Sequence, residues 1–387
     1  ADITVGQGKY SFSSDAFIGA ESALYDYSNL RYGFRITDLP TIKGERKLAN
    51  RLLGMYGAGT SYRIKSEKDI DQFIDKVAKP LFKLGPREMF FGEGDHRKIN
   101  PKTGKPQKVG TVFTTSAANL GMSSKDPLWS KFGEKIRDLK FDPDVTFGEP
   151  IPGVNPKDMW TLRTKYDTYF QTPQKIKTHI DNGNIADFNR KVGAIHKEMW
   201  KRIAKSIKND KQNAAGIATY LGFVANDTGH WHKLGAQFAG YSKEIKGKRY
   251  EYEHAMPATA AYVYLLDAAL SDADNKTNSF NTAYELVIDN YKLISLDKAM
   301  DDKLRNAKTQ AGLSLQKVMP DNWSVLTNNW FERYFNSIVA AQDGGINPDG
   351  LIGLDGRTFT DIYNVNAAGN LDIVEENYEN NVMASMA

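Results

Sequence analysis

The sequence contains no cysteine. That single absence excludes disulfides, thiolate catalysis, Cys-ligated zinc and iron–sulfur centres together. It also lacks any run approaching the roughly 18 consecutive apolar residues of a membrane span, so no transmembrane segment is expected. No basic-then-apolar leader pattern opens the chain. Charge of one sign is scarce as well: 51 basic residues face 47 acidic ones, a net of +4 over 387 residues. That balance implies no polyanion partner for the whole chain, and any such partner needs a local basic patch. There is no GxGxxG between strand and helix, no GxxxxGK[ST], no HExxH and no GxSxG. Internal repeats and low-complexity tracts are missing too.

What remains is a composition of 41% hydrophobic and 25% charged residues, ordinary for a globular protein. The length allows two or three domains. An α+β, mainly α-helical fold is expected, built around a helical bundle. Residues 1–125 form an N-terminal α+β region rich in Gly, Ser and Tyr. Residues 126–156, with FDPDVTFGEPIPGVNP, read as a Pro/Gly-rich linker or strap. The bundle occupies 157–342, and 343–387 hold a β-hairpin followed by an acidic tail. The last 27 residues carry five acids and no base.

Several helices announce themselves by period. Ile70, Phe73, Ile74 and Val77 recur at helical spacing behind Ser66, a good N-cap with Asp69 three positions on. Pro80 should end or kink that helix. Ile185, Phe188, Val192, Ile195, Met199, Ile203 and Ile207 form the cleanest amphipathic stripe in the chain. His196 lies beside it and reads as a packing residue. AAGIATYLGFVAND gives another helix, and PATAAYVYLLDAALSDA, with Pro257 at its first turn, gives a further one. Tyr284, Val287, Ile288, Tyr291 and Ile294 predict one long helix over 278–307. Trp330, Phe331, Tyr334, Phe335 and Ile338 give a bulky aromatic face, read as core.

The densest chemistry lies in Asp227–Asp267, which holds three of the six histidines. His230 and His232 are spaced to offer both rings to one divalent metal ion, and His254 would complete three nitrogens. Glu251 or Glu253 would then serve as general base. Equally, the stretch reads as a hydrogen-bonded loop between two bundle helices. A basic hairpin tip carries Lys98, Lys102 and Lys105, and the polar face of the 185–207 helix carries Lys201, Arg202 and Lys205. Both suit phosphates or an acidic partner, or simply solvent. Thr114–Thr115–Ser116 with Glu251 and Glu253 has the order of an ADP-ribosyltransferase set, but the two groups lie too far apart. No catalytic residue set is assigned.

Three phrases carry a resemblance. They are HWHKLGAQFAGYSKEIKGKRYEYEHAMPATAAYVYLLDAAL (230–270), MPDNWSVLTNNWFERYF (319–335) and GLIGLDGRTFTDIYN (350–364). With them, about residues 150–370 resemble modules of the large internal or ejected virion proteins of tailed bacteriophages. The resemblance implies a non-enzymatic structural or cargo component of the particle, located in the virion. Its partners would be other virion proteins, copies of itself and packaged DNA. Without it, a cytoplasmic location is expected. A metal-dependent hydrolase centred on the three histidines is the alternative from another class, and a DNA-binding module is a third.

Overall fold

The computed structural model describes residues 64–91, 99, 101–104, 122–156, 162, 168–209, 236–247, 250–257, 261, 265, 268–269, 279–308, 314–316, 319–320, 323, 330–335 and 346–363. The elements read in residues 1–60, the AAGIATYLGFVAND helix and the acidic tail lie outside these residues.

The described chain is α+β, with a small mixed sheet between helical layers. Helix α1 (Glu67–Phe73) starts where Ser66 accepts a bond from the Asp69 amide and its hydroxyl donates to the Asp69 carboxylate. Asp69 also accepts from the Lys65 amide (2.9 Å), so the pair partly imitates a capping box with Asp in place of Glu. Pro80 does not end the helix. A π-turn at Ile74–Ala78, closed by the Lys79 amide onto the Ile74 carbonyl, precedes it. The wider turn accommodates a residue with no N–H, so the chain continues helically through α2 (Lys79–Phe82). The short α3 (Arg87–Phe90) follows, and α4 (Pro127–Asp138) packs Phe132 against Phe73 at 5.5 Å.

Residues 139–156 are irregular and lie on the core as a strap. The Gly148 amide donates to the carbonyls of Phe82 and Gly85. A Cβ at Gly148 would come within 2.7 Å of the Lys83 carbonyl oxygen, so only glycine allows this approach. Arg202 fastens the same strap from outside. Its NH1 donates to Leu84 O (3.0 Å) and Glu149 O (2.7 Å), its NH2 to Pro150 O (3.2 Å), and its Nε to the Glu198 carboxylate (2.8 Å). Replacing Arg202 with alanine should loosen the strap at a cost of about 1–3 kcal/mol, since three carbonyls lose a charged donor. Faster limited proteolysis within 141–154 is the expected readout, and an unchanged cleavage rate would contradict this role.

After α5 (Pro173–Asp181) comes α6 (Asn184–Asn209), the longest described helix at 26 residues. All seven apolar residues of its expected stripe are buried. Beyond it the sequence reading needs correction. The stretch taken as an inter-helix loop contributes two strands, β1 (Gln237–Ser242) and β2 (Glu251–His254). The single helix expected over 278–307 is three elements: α7 (Ser279–Asn290), β3 (Lys292–Leu296) and α8 (Lys298–Asn306). Lys292–Leu296 is buried at every position, and Asp297 restarts the chain as an N-cap by accepting from the Ala299 amide. A five-residue run with both faces covered gains more in the middle of a sheet than in extending a helix.

The sheet order is β2–β3–β1–β4, where β4 is Leu351–Gly353. β1 and β3 run parallel, and the other two pairs are antiparallel. Alternation on β3 divides the interior. Leu293 belongs to the core under α6, while Ile294 and Leu296 face a second core with Trp330, Phe331, Tyr334 and Phe359. Phe359 opens α10 (Phe359–Tyr363), and Tyr334 lies in α9 (Glu332–Phe335). Thus α6 covers one face of the sheet, and α8, α9 and α10 cover the other. In place of a free-standing C-terminal hairpin, β4 is an edge strand of this sheet. A turn at Gly356 (φ 84°) then brings Thr358 back beside Ile352.

Candidate functional site

The chemistry-bearing side chains of the interior gather around the ends of β1, β2 and β3. The β1–β3 register slips between Phe238 and Gly240, leaving Ala239 as the extra residue of a bulge. Asn189 of α6 braces the strand beside the slip: its amide nitrogen donates to Phe238 O (2.8 Å) and its carbonyl accepts from Phe238 N (2.7 Å). Gly240 is required at the same bulge, because a Cβ there would lie 2.6 Å from the Phe359 ring and 2.8 Å from Ile352 O.

His254 ends β2, 8% exposed, with its ring stacked on Tyr291 at 5.3 Å. Tyr291 also meets His196 of α6 at 5.4 Å. The His196 Nδ1 is 2.9 Å from the Tyr284 hydroxyl, which fixes its ring against α7. Burial holds the His196 imidazole far below its usual value, at about 3, and pushes the Tyr284 phenol well above the usual tyrosine range. These rings join α6, α7 and β2, with His196 and Tyr284 held neutral by burial. His230 and His232 lie outside the described residues. Among the described residues no three His, Cys, Asp or Glu side chains stand close enough together to hold a metal ion.

Glu253 sits on β2 opposite Ile294, and its carboxylate pairs with Arg333 at 2.6 Å. Arg333 is fully buried. Its remaining donors reach the carbonyls of Leu315 (Nε, 2.6 Å), His254 and Ala255 (NH1, 2.5 and 3.1 Å) and Gln316 (NH2, 2.7 Å). One guanidinium thus ties the end of β2 to the 315–316 turn and to α9. Sequence reasoning missed Arg333, Tyr284, Asn189 and Asp297. Asp297 caps α8 and accepts from the Lys246 amide (2.8 Å), while Ser242 Oγ accepts from the Asp297 amide (2.8 Å). The one visible signal was Arg333 set among Trp330, Phe331 and Tyr334.

The expected basic contacts separate. Lys98 and Lys105 lie outside the described residues, and Lys102 is exposed in the 101–104 turn. Arg202 is 18% exposed and committed to the strap. Lys201 and Lys205 are exposed on α6, and Lys208 continues their row. Along the same face Arg190 is held by Asp187 and Gly153 O, and Lys197 by Glu285. No described carboxylate pairs with Lys201, Lys205 or Lys208, so these three form an open cationic row. No helix among the described residues is long and apolar enough to cross a membrane. No family model, curated protein or solved structure matches the chain.

Proposed function

We propose that this chain is a non-enzymatic structural or cargo component of a bacteriophage virion, working through contacts with other virion proteins and with copies of itself. The open lysine row on α6 carries the reading, because it offers charge to a partner while the buried polar groups serve the fold. Arg333, Asn189 and Asp297 bind backbone, and His196 packs on tyrosine rings. Supporting it are the resemblance over residues 150–370 and an acidic tail opposite in sign to the helix face.

The test is quantitative mass spectrometry of purified particles. A fixed copy number per particle that survives nuclease and salt washing is expected. A chain missing from particles sinks the proposal. If that chain also carries one divalent metal per molecule, lost on changing His230, His232 and His254 to alanine, it belongs with metal-dependent hydrolases instead.

A further inference from the structure

We infer that His196 makes the α6–α7 contact an acid-released latch, in which a proton on its buried ring frees α7 from α6. The ring lies where the two helices meet, with the rings of Trp200, Tyr284 and Tyr291 centred 6.5, 5.5 and 5.4 Å away. Its Nδ1 is 2.9 Å from the Tyr284 hydroxyl, while its Nε2 is buried with no hydrogen-bond partner. A neutral ring fits that site, with its one proton on Nδ1 and Nε2 bare. An imidazolium does not. It carries a second N–H that meets no acceptor, and a charge that has left water.

No described neighbour offsets that charge. Lys197 and Glu198 flank the ring on α6, Tyr284, Glu285 and Asp289 belong to α7, and Tyr291 leads into β3. His254 of β2 also stacks on Tyr291. Among these groups Glu198 is bound to Arg202, Glu285 is 61% exposed in a pair with Lys197, and Asp289 is exposed. Lys292 alternates with Leu293 onto the sheet face away from α6. Burial alone therefore governs the ring, and it holds the pKa at about 3.

α7 is the part that moves. α6 stays because Asn189 holds both backbone groups of Phe238 and Arg202 holds the strap. β3 stays because β1 and β2 pair with it on its two sides. α7 has 12 residues and buries Phe280, Tyr284 and Val287 along one stripe, and a detached helix of that length is marginal in water. The exposed Lys197–Glu285 pair adds little to its hold. Once released, α7 uncovers Phe280, Val287 and the His196–Trp200 side of α6, an apolar surface closed at neutral pH.

Hydrogen exchange of the purified full chain, read by mass spectrometry, tests the latch. Each pH is corrected by the exchange of the same chain in denaturant. Between pH 7.5 and 4.5 the protection of amides 285–290 should fall about a hundredfold, or about tenfold per unit below 6.5. Amides 293–296 of β3 and 333–335 of α9 should keep theirs. Glu285→Gln and His254→Phe should leave the dependence in place, because both retain the His196 ring. His196→Phe with Tyr284→Phe should abolish it. Protection lost from α7 and β3 together, or not lost from α7, overturns the latch. So does a dependence that disappears in Glu285→Gln or His254→Phe, since the proton then belongs to another group.

Discussion

Replacing Arg333 with methionine is expected to cost about 3–5 kcal/mol of folding stability. Methionine matches the stem in length and is apolar, so the buried volume is largely kept. What disappears is the pairing. The Glu253 carboxylate, 13% exposed, loses its cation, and the carbonyls of His254, Ala255, Leu315 and Gln316 lose their donors. An uncompensated buried charge is the costlier part, and unsatisfied carbonyls add about 1–3 kcal/mol each where water cannot reach them. Lysine should be nearly as damaging, because one ammonium cannot replace a planar fork serving five acceptors. Urea unfolding midpoints check this. The double variant Arg333→Met/Glu253→Gln should recover part of the loss by removing the stranded charge. A single variant as stable as the parent would show that the clamp contributes nothing.

The clamp also shows why one part of this fold was legible in the sequence and another was not. α6 was readable because one stripe of seven aliphatic or aromatic residues repeats at 3.6 without a break, and its whole burial is decided locally. β3 was not. Tyr284, Val287, Ile288, Tyr291 and Ile294 keep helical spacing straight across the strand, so period alone joins α7 to α8. The break is written in Asn290 and in Asp297, whose carboxylate caps α8. The reward for breaking there is pairing with β1, whose Phe238 lies opposite Leu293, and that long-range contact leaves no local mark.

The same holds for the polar interior. His254 stood out by residue type, but Tyr291, on which it stacks, and His196, on that same tyrosine, come from distant parts of the chain. Arg333 was visible only as a charge inside an aromatic run. The carbonyls that justify its burial belong to residues 254–255 and 315–316, which only the folded chain brings to it. The basic helix face misled in a different way. Lys201, Arg202 and Lys205 look equivalent on a helical wheel, yet Arg202 turns toward the strap and leaves the row.

Acidification should destabilise the protein between pH 6.5 and 4.5, before its carboxylates titrate, and His196 should account for much of that slope. In the native state burial holds its pKa at about 3, against 6.5 for the free imidazole. Between those values the unfolded chain binds a proton that the folded chain refuses. Stability is therefore complete above pH 6.5 and declines as pH falls toward 3, by about 1.4 kcal/mol per pH unit. At pH 5 the loss is about 2 kcal/mol, and by pH 3 it approaches about 5 kcal/mol. Glu67, Asp69 and Asp302 also have lowered values, through bonds to Lys131, to the Lys65 amide and to Lys298 respectively. Their contributions vanish only below the carboxylate range, which leaves the 4.5–6.5 window to histidine. The measurement is a difference. His196→Phe combined with Tyr284→Phe removes the ring that titrates and the hydroxyl it would strand, keeping an aromatic ring at both positions. The denaturant midpoint of that double variant should fall less steeply with acid than the parent's, by about 1.4 kcal/mol per unit. Parallel slopes in the two proteins would mean that His196 gains its proton without unfolding α6 from α7.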